Sequence, residues 1–179
     1  LQTEYGIDAK PAPHEKINTW RENFEGVQYF HEPTKLMISG AIDDLWIDSK
    51  GEYIVVDYKA TAKEAPVTEL SGEWHEGYKR QMEVYQWLLR QNGLKVSDTG
   101  YFVYCTGKLN QESFDKKIEF DVHLISYTGK DDWVEPVLEK IKACLESSTI
   151  PNSGKNCDYC AWYYTRSSYE SAVKPTSTS

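Results

Sequence analysis

The sequence predicts a mixed α/β (α+β) fold in which a central mixed β-sheet is flanked by helices. A chain of 179 residues has the size of one compact domain, and its content of 40% hydrophobic and 27% charged residues is typical of globular proteins. Segments that alternate with strand periodicity are interrupted by segments with apolar residues at helical spacing. The resulting order is helix, three strands, helix, two strands and helix.

The first half of the chain is predicted to form one short helix and three strands. Apolar side chains share one face of the helix, which ends near Gly26: Ile17, Trp20 and Phe24. Alternating residues indicate three strands: residues 27–32, 36–48 and 52–60. The last two strands are joined by a tight turn that ends at Gly51, because glycine suits the left-handed position of such a turn.

The second half is predicted to contain a long helix, two strands and a last helix. A polar loop over residues 63–71 leads into a helix over residues 72–92, whose apolar stripe indicates packing on the sheet. Its polar back is predicted to carry three charged residues: Lys79, Glu83 and Arg90. The remaining elements are two strands and a helix, over residues 100–106, 116–127 and 131–147.

Composition limits the protein's location and partners. A net charge of −8 argues against a broad polyanion-binding surface, so a nucleic-acid site would have to be local. The absence of a leader and of long apolar runs predicts a cytoplasmic protein without membrane contact. We expect one domain over residues 1–166, lacking its natural N-terminus because the chain begins at Leu1, and a disordered tail over residues 167–179.

Two aspartates on the predicted hairpin form the first candidate site. If Gly51 closes a three-residue turn, Asp48 pairs with Glu52, and counting back along both strands places Asp43 directly opposite Asp57. Paired residues on one face have Cβ atoms about 4.5–5.5 Å apart. Two carboxylates that close repel each other unless a divalent cation lies between them, and hard oxygen ligands suit Mg²⁺ or Mn²⁺.

A lysine on the same face completes a hydrolytic pattern. Lys59 follows Asp57 by two residues, and side chains two residues apart on a strand share a face. An ammonium there can orient or deprotonate a water, or stabilise the charge that develops on a phosphorane. The pattern indicates metal-assisted phosphodiester hydrolysis, and a solvated Asp-x-Lys edge pair is the alternative that spacing alone leaves open.

The combined pattern resembles the PD-(D/E)XK nuclease superfamily, and more narrowly its RecB-like branch, which includes CRISPR-associated and phage exonucleases. Three motifs carry the resemblance: Gly40-x-Ile42-Asp43, Asp57-Tyr58-Lys59 and, on the long helix, Gln81-x-x-x-Tyr85. The resemblance implies a restriction-endonuclease-like core.

The resemblance also implies a role for each matching residue. Asp43 and Asp57 would be metal ligands and, with Lys59, the catalytic set. The main-chain carbonyl of Tyr58 would complete the protein ligands of the ion. Gln81 and Tyr85 would contact the substrate or the catalytic residues.

The sequence departs from the branch in two respects. Relatives carry a further metal ligand on an N-terminal helix, and no recognisable motif surrounds any of the candidates: His14, Glu15, Glu22 and Glu32. Relatives with an iron–sulfur cluster use four cysteines, whereas here only Cys157 and Cys160 have ligand spacing, which also suits half a zinc knuckle or two unligated thiols. A second metal site, an iron–sulfur cluster or zinc, is therefore expected only in the intact protein.

These features predict a Mg²⁺- or Mn²⁺-dependent, exonuclease-like deoxyribonuclease that acts on single-stranded DNA or duplex ends. The resemblance implies DNA repair or phage defence, with protein partners in such a complex. The alternative is a catalytically inactive domain of the same fold that binds nucleic acid or a partner protein, which the acidic charge and the missing upstream ligand favour. A structural metal-binding module built on the cysteines ranks third.

Overall fold

A computed structural model describes residues 1–109 and 116–172, which divide into a first compact unit that ends at Glu139 and a second that begins at Lys140. Their elements in chain order are β1 (Ala9–Pro11), α1 (Ile17–Trp20), β2 (Val27–His31), β3 (Leu36–Gly40), β4 (Asp44–Asp48), β5 (Tyr53–Ala62), α2 (His75–Gln91), β6 (Thr99–Gly107), β7 (Phe120–Thr128), α3 (Val134–Glu146) and α4 (Asp158–Ala172). Within the described part of the chain, no helix combines the length and the apolar character needed to span a membrane.

The first unit is built on a five-stranded mixed sheet, which confirms the predicted fold class. The strand order is β1-β4-β5-β6-β7, and only β5 and β6 are parallel. A parallel pair needs a crossover connection, and α2 supplies it. Buried side chains of α2 pack against buried side chains of the sheet in one cluster, among them Met82, Leu88, Leu45, Val55 and Phe102.

The β4–β5 hairpin has the predicted register. The Asp48 N–H donates to the Glu52 carbonyl at 3.0 Å, and Gly51 closes the turn with a left-handed φ of 75°. The strands then pair from Ile47–Tyr53 to Asp44–Val56. The next pair in this register is Asp43 with Asp57.

Residues 36–48 do not form the single strand that the sequence predicts. The chain leaves the strand conformation after Gly40, so that β3 pairs with β2 in a separate two-stranded sheet, whereas β4 joins the central sheet. The break is held by α1, because the Ile42 N–H donates to the Trp20 carbonyl at 3.0 Å and the Ile42 side chain is 1% exposed. Alternation alone could not reveal it, since both halves alternate.

The first helix is also shorter than predicted. It ends at Trp20 in the structure, and Phe24 is fully exposed instead of sharing the apolar face with Trp20. The chain must turn back sharply to enter β2, and Gly26 makes the return with a φ of 62°. A side chain at Gly26 would also collide with the Gly40 carbonyl, because a Cβ there would lie 2.6 Å from that oxygen.

The second unit contains a helix where the sequence predicts a tail. Helix α4 covers Asp158–Ala172, so residues 167–172 are helical, and residues 173–179 of the predicted tail lie outside the described residues. Small polar residues lowered the expectation of order there, but Thr165 and Ser168 satisfy their hydroxyls by donating to main-chain carbonyls one turn earlier.

Glu83 joins α2 to the far edge of the sheet. It lies in the packed interface at 8% exposure, not on the polar back of the helix as predicted. Its carboxylate accepts hydrogen bonds from the Tyr127 hydroxyl at 2.6 Å, the Trp133 indole N–H at 2.7 Å and the Lys130 main-chain N–H at 3.2 Å. Three donors from one segment explain how a carboxylate is accommodated in the interface.

We predict that Glu83→Ala lowers the free energy of unfolding by about 3 kcal/mol, because hydrogen bonds to charged groups contribute about 1.5–3 kcal/mol and the half-buried Tyr127 and Trp133 donors would lose their acceptor. Urea unfolding measures the change. The control is Glu76→Ala on the exposed side of the same helix, which should change stability by less than about 0.5 kcal/mol. Equal effects of the two substitutions would contradict this account of Glu83.

Candidate active site

The hairpin brings two aspartates to the point where β4 begins. Asp43 is exposed and lies just before β4, whereas Asp57 on β5 is 2% exposed. The charge of Asp43 contributes to the electrostatic environment of Asp57. The Asp43 carboxylate is therefore accessible to solvent, whereas the Asp57 carboxylate is buried.

Asp57 is paired with the predicted lysine. The Lys59 ammonium lies 2.6 Å from Asp57 Oδ2, and the two side chains are 17% and 3% exposed. Burial raises the pKa of Asp57, and the Asp43 charge adds to this effect, which Lys59 opposes. The carboxylate is thus held in an environment that disfavours its charge, despite its lysine partner.

Helix α2 covers the pair with two hydrogen-bonding side chains. Lys59 Nζ donates to Gln81 Oε1 at 3.1 Å, and Gln81 Nε2 donates to the Tyr85 hydroxyl oxygen at 2.8 Å. The structure therefore brings the Gln81 and Tyr85 positions to the Asp57–Lys59 pair. Tyr85 can approach so closely because Gly40 has no side chain: a Cβ there would lie 2.8 Å from the Tyr85 ring.

An arginine that sequence reasoning missed holds the segment carrying Asp43. Arg21 Nε donates to the Asp43 carbonyl at 2.8 Å, and its terminal nitrogen lies 2.5 Å from Asp44 Oδ1. The Asp43 side chain in turn accepts the Tyr58 main-chain N–H at 2.7 Å. Arg21 follows a four-residue helix and belongs to no motif, so no sequence signal could have identified it.

Tyr58 contributes its main chain to the site while its side chain points elsewhere. The hydroxyl donates to Asp44 Oδ2 at 3.1 Å, and partial burial together with the Asp44 charge raises the pKa of Tyr58 to about 12. The N–H and C=O of one strand residue point to the same side of the strand. Because the Tyr58 N–H donates to Asp43, the Tyr58 carbonyl also points to the side of β5 on which Asp43 lies.

These donors fit a hard divalent cation. In residues 1–109 and 116–172, no group of three or more His, Cys, Asp and Glu side chains is arranged to hold a metal ion. Two carboxylates and a main-chain carbonyl are the kinds of donor that suit Mg²⁺, an ion that takes one or two carboxylates and keeps several waters. Asp57 Oδ2 is buried and lies 2.6 Å from the Lys59 ammonium, so a cation bound there would share this oxygen with the lysine.

None of the candidates for a further metal ligand joins such a group. His14 stacks on Trp20 with ring centroids 4.3 Å apart, and Glu32 forms an exposed ion pair with Lys35. Glu15 and Glu22 are exposed.

Residues 7–163 match the family model of the PD-(D/E)XK nuclease superfamily. The chain belongs to this superfamily. The predicted resemblance is thereby confirmed at the level of the superfamily, whose members are generally metal-dependent nucleases, and the match does not specify the RecB-like branch. No curated protein and no solved structure matched the chain.

The cysteine pair lies at the start of α4, in the second unit. All four cysteines are reduced, and the Cys160 N–H donates to Cys157 Sγ at 3.4 Å. This hydrogen bond lowers the pKa of Cys157, and the side-chain hydrogen bond between the two raises that of Cys160. Two thiols cannot complete a tetrahedral site, and the described residues supply no group of three that could hold zinc or an iron–sulfur cluster.

We predict that Asp57→Asn raises the melting temperature in EDTA at neutral pH. A raised carboxyl pKa means that the charged form opposes folding once the pH exceeds that pKa, and asparagine removes the charge while keeping the shape. Differential scanning calorimetry measures the shift, with Asp8→Asn on the exposed N-terminal segment as control. A lower melting temperature for Asp57→Asn would show that the Lys59 pair outweighs the cost of burial.

A second prediction concerns the cysteines. The double substitution Cys157→Ser, Cys160→Ser should leave the melting transition of the first unit unchanged, because the hairpin and α2 make their contacts within Leu1–Glu139. Circular dichroism and metal analysis of the purified chain check this. Global unfolding of the double variant, or stoichiometric iron or zinc in the unsubstituted chain, would contradict it.

Proposed function

We propose that the chain is a Mg²⁺- or Mn²⁺-dependent deoxyribonuclease of the RecB-like type, with exonuclease-like action on single-stranded DNA or duplex ends. The observation that supports this most is the contact of Lys59 with both Asp57 and Gln81, on the strand that also faces Asp43. Through these contacts and the Gln81–Tyr85 hydrogen bond, motif residues of β5 and α2 form one connected group: Asp57, Lys59, Gln81 and Tyr85. A cytoplasmic location and partners in a repair or defence complex are part of the same proposal.

Each residue has a chemical task in this proposal. Asp43, Asp57 and the Tyr58 carbonyl would hold the ion, which supplies an activated water and neutralises phosphate charge when bound. Lys59 contacts a phosphate oxygen or the attacking water, and its position is fixed by Asp57 and Gln81. Tyr85 fixes Gln81, and Arg21 fixes the main chain at Asp43.

A catalytically inactive, nucleic-acid- or partner-binding domain is the second candidate. It is favoured because, among the described residues, no three His, Cys, Asp or Glu side chains form a group that could hold a metal ion. The nuclease and an inactive nucleic-acid-binding domain both predict DNA binding in Ca²⁺, an inactive partner-binding domain does not, and only the nuclease predicts cleavage in Mg²⁺ or Mn²⁺. Charge predicts weak binding in either case, because six basic residues between Asp57 and Lys95 are matched by six acidic ones.

We predict that Lys59→Ala reduces DNA cleavage by about 10²–10³-fold, as expected for loss of a group that stabilises developing charge. The assay follows release of nucleotides from an end-labelled single strand in Mg²⁺. The control is Lys50→Ala in the exposed hairpin turn, which should cleave at the normal rate. Metal affinity, measured by Mn²⁺ titration, should be largely retained in both variants.

Two results would count against the nuclease. Full activity of Lys59→Ala would move the catalytic role to another group. Binding of DNA by the unsubstituted chain without cleavage in either Mg²⁺ or Mn²⁺ would favour the inactive domain.

A further inference from the structure

The contacts between β5 and α2 extend beyond the candidate active site to a second lysine and a second aromatic ring. Lys59 Nζ lies 4.5 Å from the centre of the Tyr78 ring, and Lys63 Nζ lies 6.0 Å from the centre of the Trp74 ring. Lys63 follows Lys59 by four residues, and Trp74 precedes Tyr78 by four. The same kind of lysine–aromatic contact is therefore repeated about one helical turn closer to the N-terminus of α2, where Trp74 precedes the first residue of the helix.

We propose that Lys63 and Trp74 form a nucleotide-positioning subsite beside the active centre, in which Trp74 stacks on an unpaired base and Lys63 contacts the backbone phosphate. This inference rests on the proposed nuclease function. Lys63 and Trp74 are positioning residues, because the reacting phosphate lies at Lys59 in that proposal.

The exposure of the two pairs supports different roles. The Lys59 side chain is 17% exposed and contacts Asp57 and Gln81, so we assign it to the candidate active site and not to the additional subsite. Trp74 is 71% exposed, at the point where the polar segment before α2 enters the helix. An indole ring that contributes this little to the core is available to stack on a ligand.

Lys63 is available for a phosphate. No carboxylate of the described residues forms an ion pair with it, whereas Lys108, across the same opening, is paired with Glu119 and Asp121 at 3.6 and 3.4 Å. The opening has a volume of about 630 Å³ and is lined by Lys63, Thr106 and Lys108, among others. Glu64 and Asp121 also line this opening, so its charge is mixed and Lys63 is its lysine without an ion pair among the described residues.

The chemistry of the subsite selects an unpaired nucleotide. Bases in a duplex are covered on both faces by their neighbours, and stacking on a protein ring requires a splayed or single-stranded base. Charge alone would attract DNA weakly here, because Glu64 and Glu73 adjoin the two residues in sequence. Stacking on a neutral base adds an attraction that does not require a net positive surface, and it tolerates any base because each offers a π face.

The subsite lies at the right distance to hold the same strand as the centre. Four helical residues rise about 6 Å, so Trp74 lies about one turn from Tyr78, and four extended residues rise about 13 Å from Lys59 to Lys63. These spans correspond to a few nucleotides at most. The bound base would therefore belong to a nucleotide close to the scissile phosphate.

Binding of a fluorescent single-stranded oligonucleotide, with Ca²⁺ in place of Mg²⁺, tests the subsite. Trp74→Ala should weaken binding about tenfold, and Trp74→Phe should lose much less because the ring is retained. Lys63→Ala should weaken binding and reduce the salt slope by about 0.7, the value for one phosphate contact on a single strand. The matched controls are Trp162→Ala, at 68% exposure, and Lys50→Ala, and both should bind normally.

Two further readouts separate positioning from a structural role. In Mg²⁺, Trp74→Ala should raise KM by a similar factor with kcat changed less than about twofold, because the lost contact is made equally in the ground state. An abasic nucleotide, moved stepwise along the oligonucleotide, should weaken binding by the unsubstituted chain at one position. Trp74→Ala should not respond at that position.

The outcomes distinguish the subsite from the nuclease proposal. If the unsubstituted chain cleaves DNA and Trp74→Ala matches it in binding and KM, the subsite is wrong and the nuclease stands. If the unsubstituted chain neither binds nor cleaves DNA, both fail. Equal loss in Trp74→Ala and Trp162→Ala, or a melting temperature lowered in Trp74→Ala, would assign the tryptophan a structural role.

Discussion

The register of the β4–β5 hairpin is the constraint on which the candidate centre depends. A shift of one residue would move every side chain of one strand to the opposite face. The left-handed Gly51 and the hydrogen bond from the Asp48 N–H to the Glu52 carbonyl fix the pairing. The pair farthest from the turn is Asp44 with Val56. Asp43 therefore lies just outside the ladder, and its carboxylate accepts a hydrogen bond from the Tyr58 N–H.

Helix α2 connects the stability of the fold with the chemistry of the site. Part of its interface is apolar, and Met82 packs so closely on the sheet that a Cβ at Gly100 would lie 2.4 Å from its sulfur. The neighbouring positions on α2 carry Gln81 against Lys59 and Tyr85 against Gly40. Because these groups lie on regular elements, their geometry is preorganised in the folded chain. The cost is a buried Asp57, whose raised pKa reflects burial only partly offset by its lysine.

The sequence predicted what depends on local pattern and on pairing, and missed what depends on distant contacts. The turn at Gly51 was enough to predict the hairpin register, which the structure shows from Ile47–Tyr53 to Asp44–Val56. The break after Gly40 is caused by a hydrogen bond to Trp20, and the clamp on Asp43 by Arg21, and both lie about twenty residues away in sequence. Glu83 was misplaced for the same reason, since its partners Tyr127 and Trp133 lie far along the chain.

The most direct test of the account is the position of a divalent ion in the folded chain. Crystals soaked in Mn²⁺ and measured at its absorption edge would show it by anomalous scattering. The account predicts one strong peak between the Asp43 and Asp57 carboxylates, within bonding distance of the Tyr58 carbonyl, which disappears in Asp43→Asn. A chain that binds no Mn²⁺ there at millimolar concentration, or binds it equally well after Asp43→Asn, would contradict the assignment of this site as the metal centre.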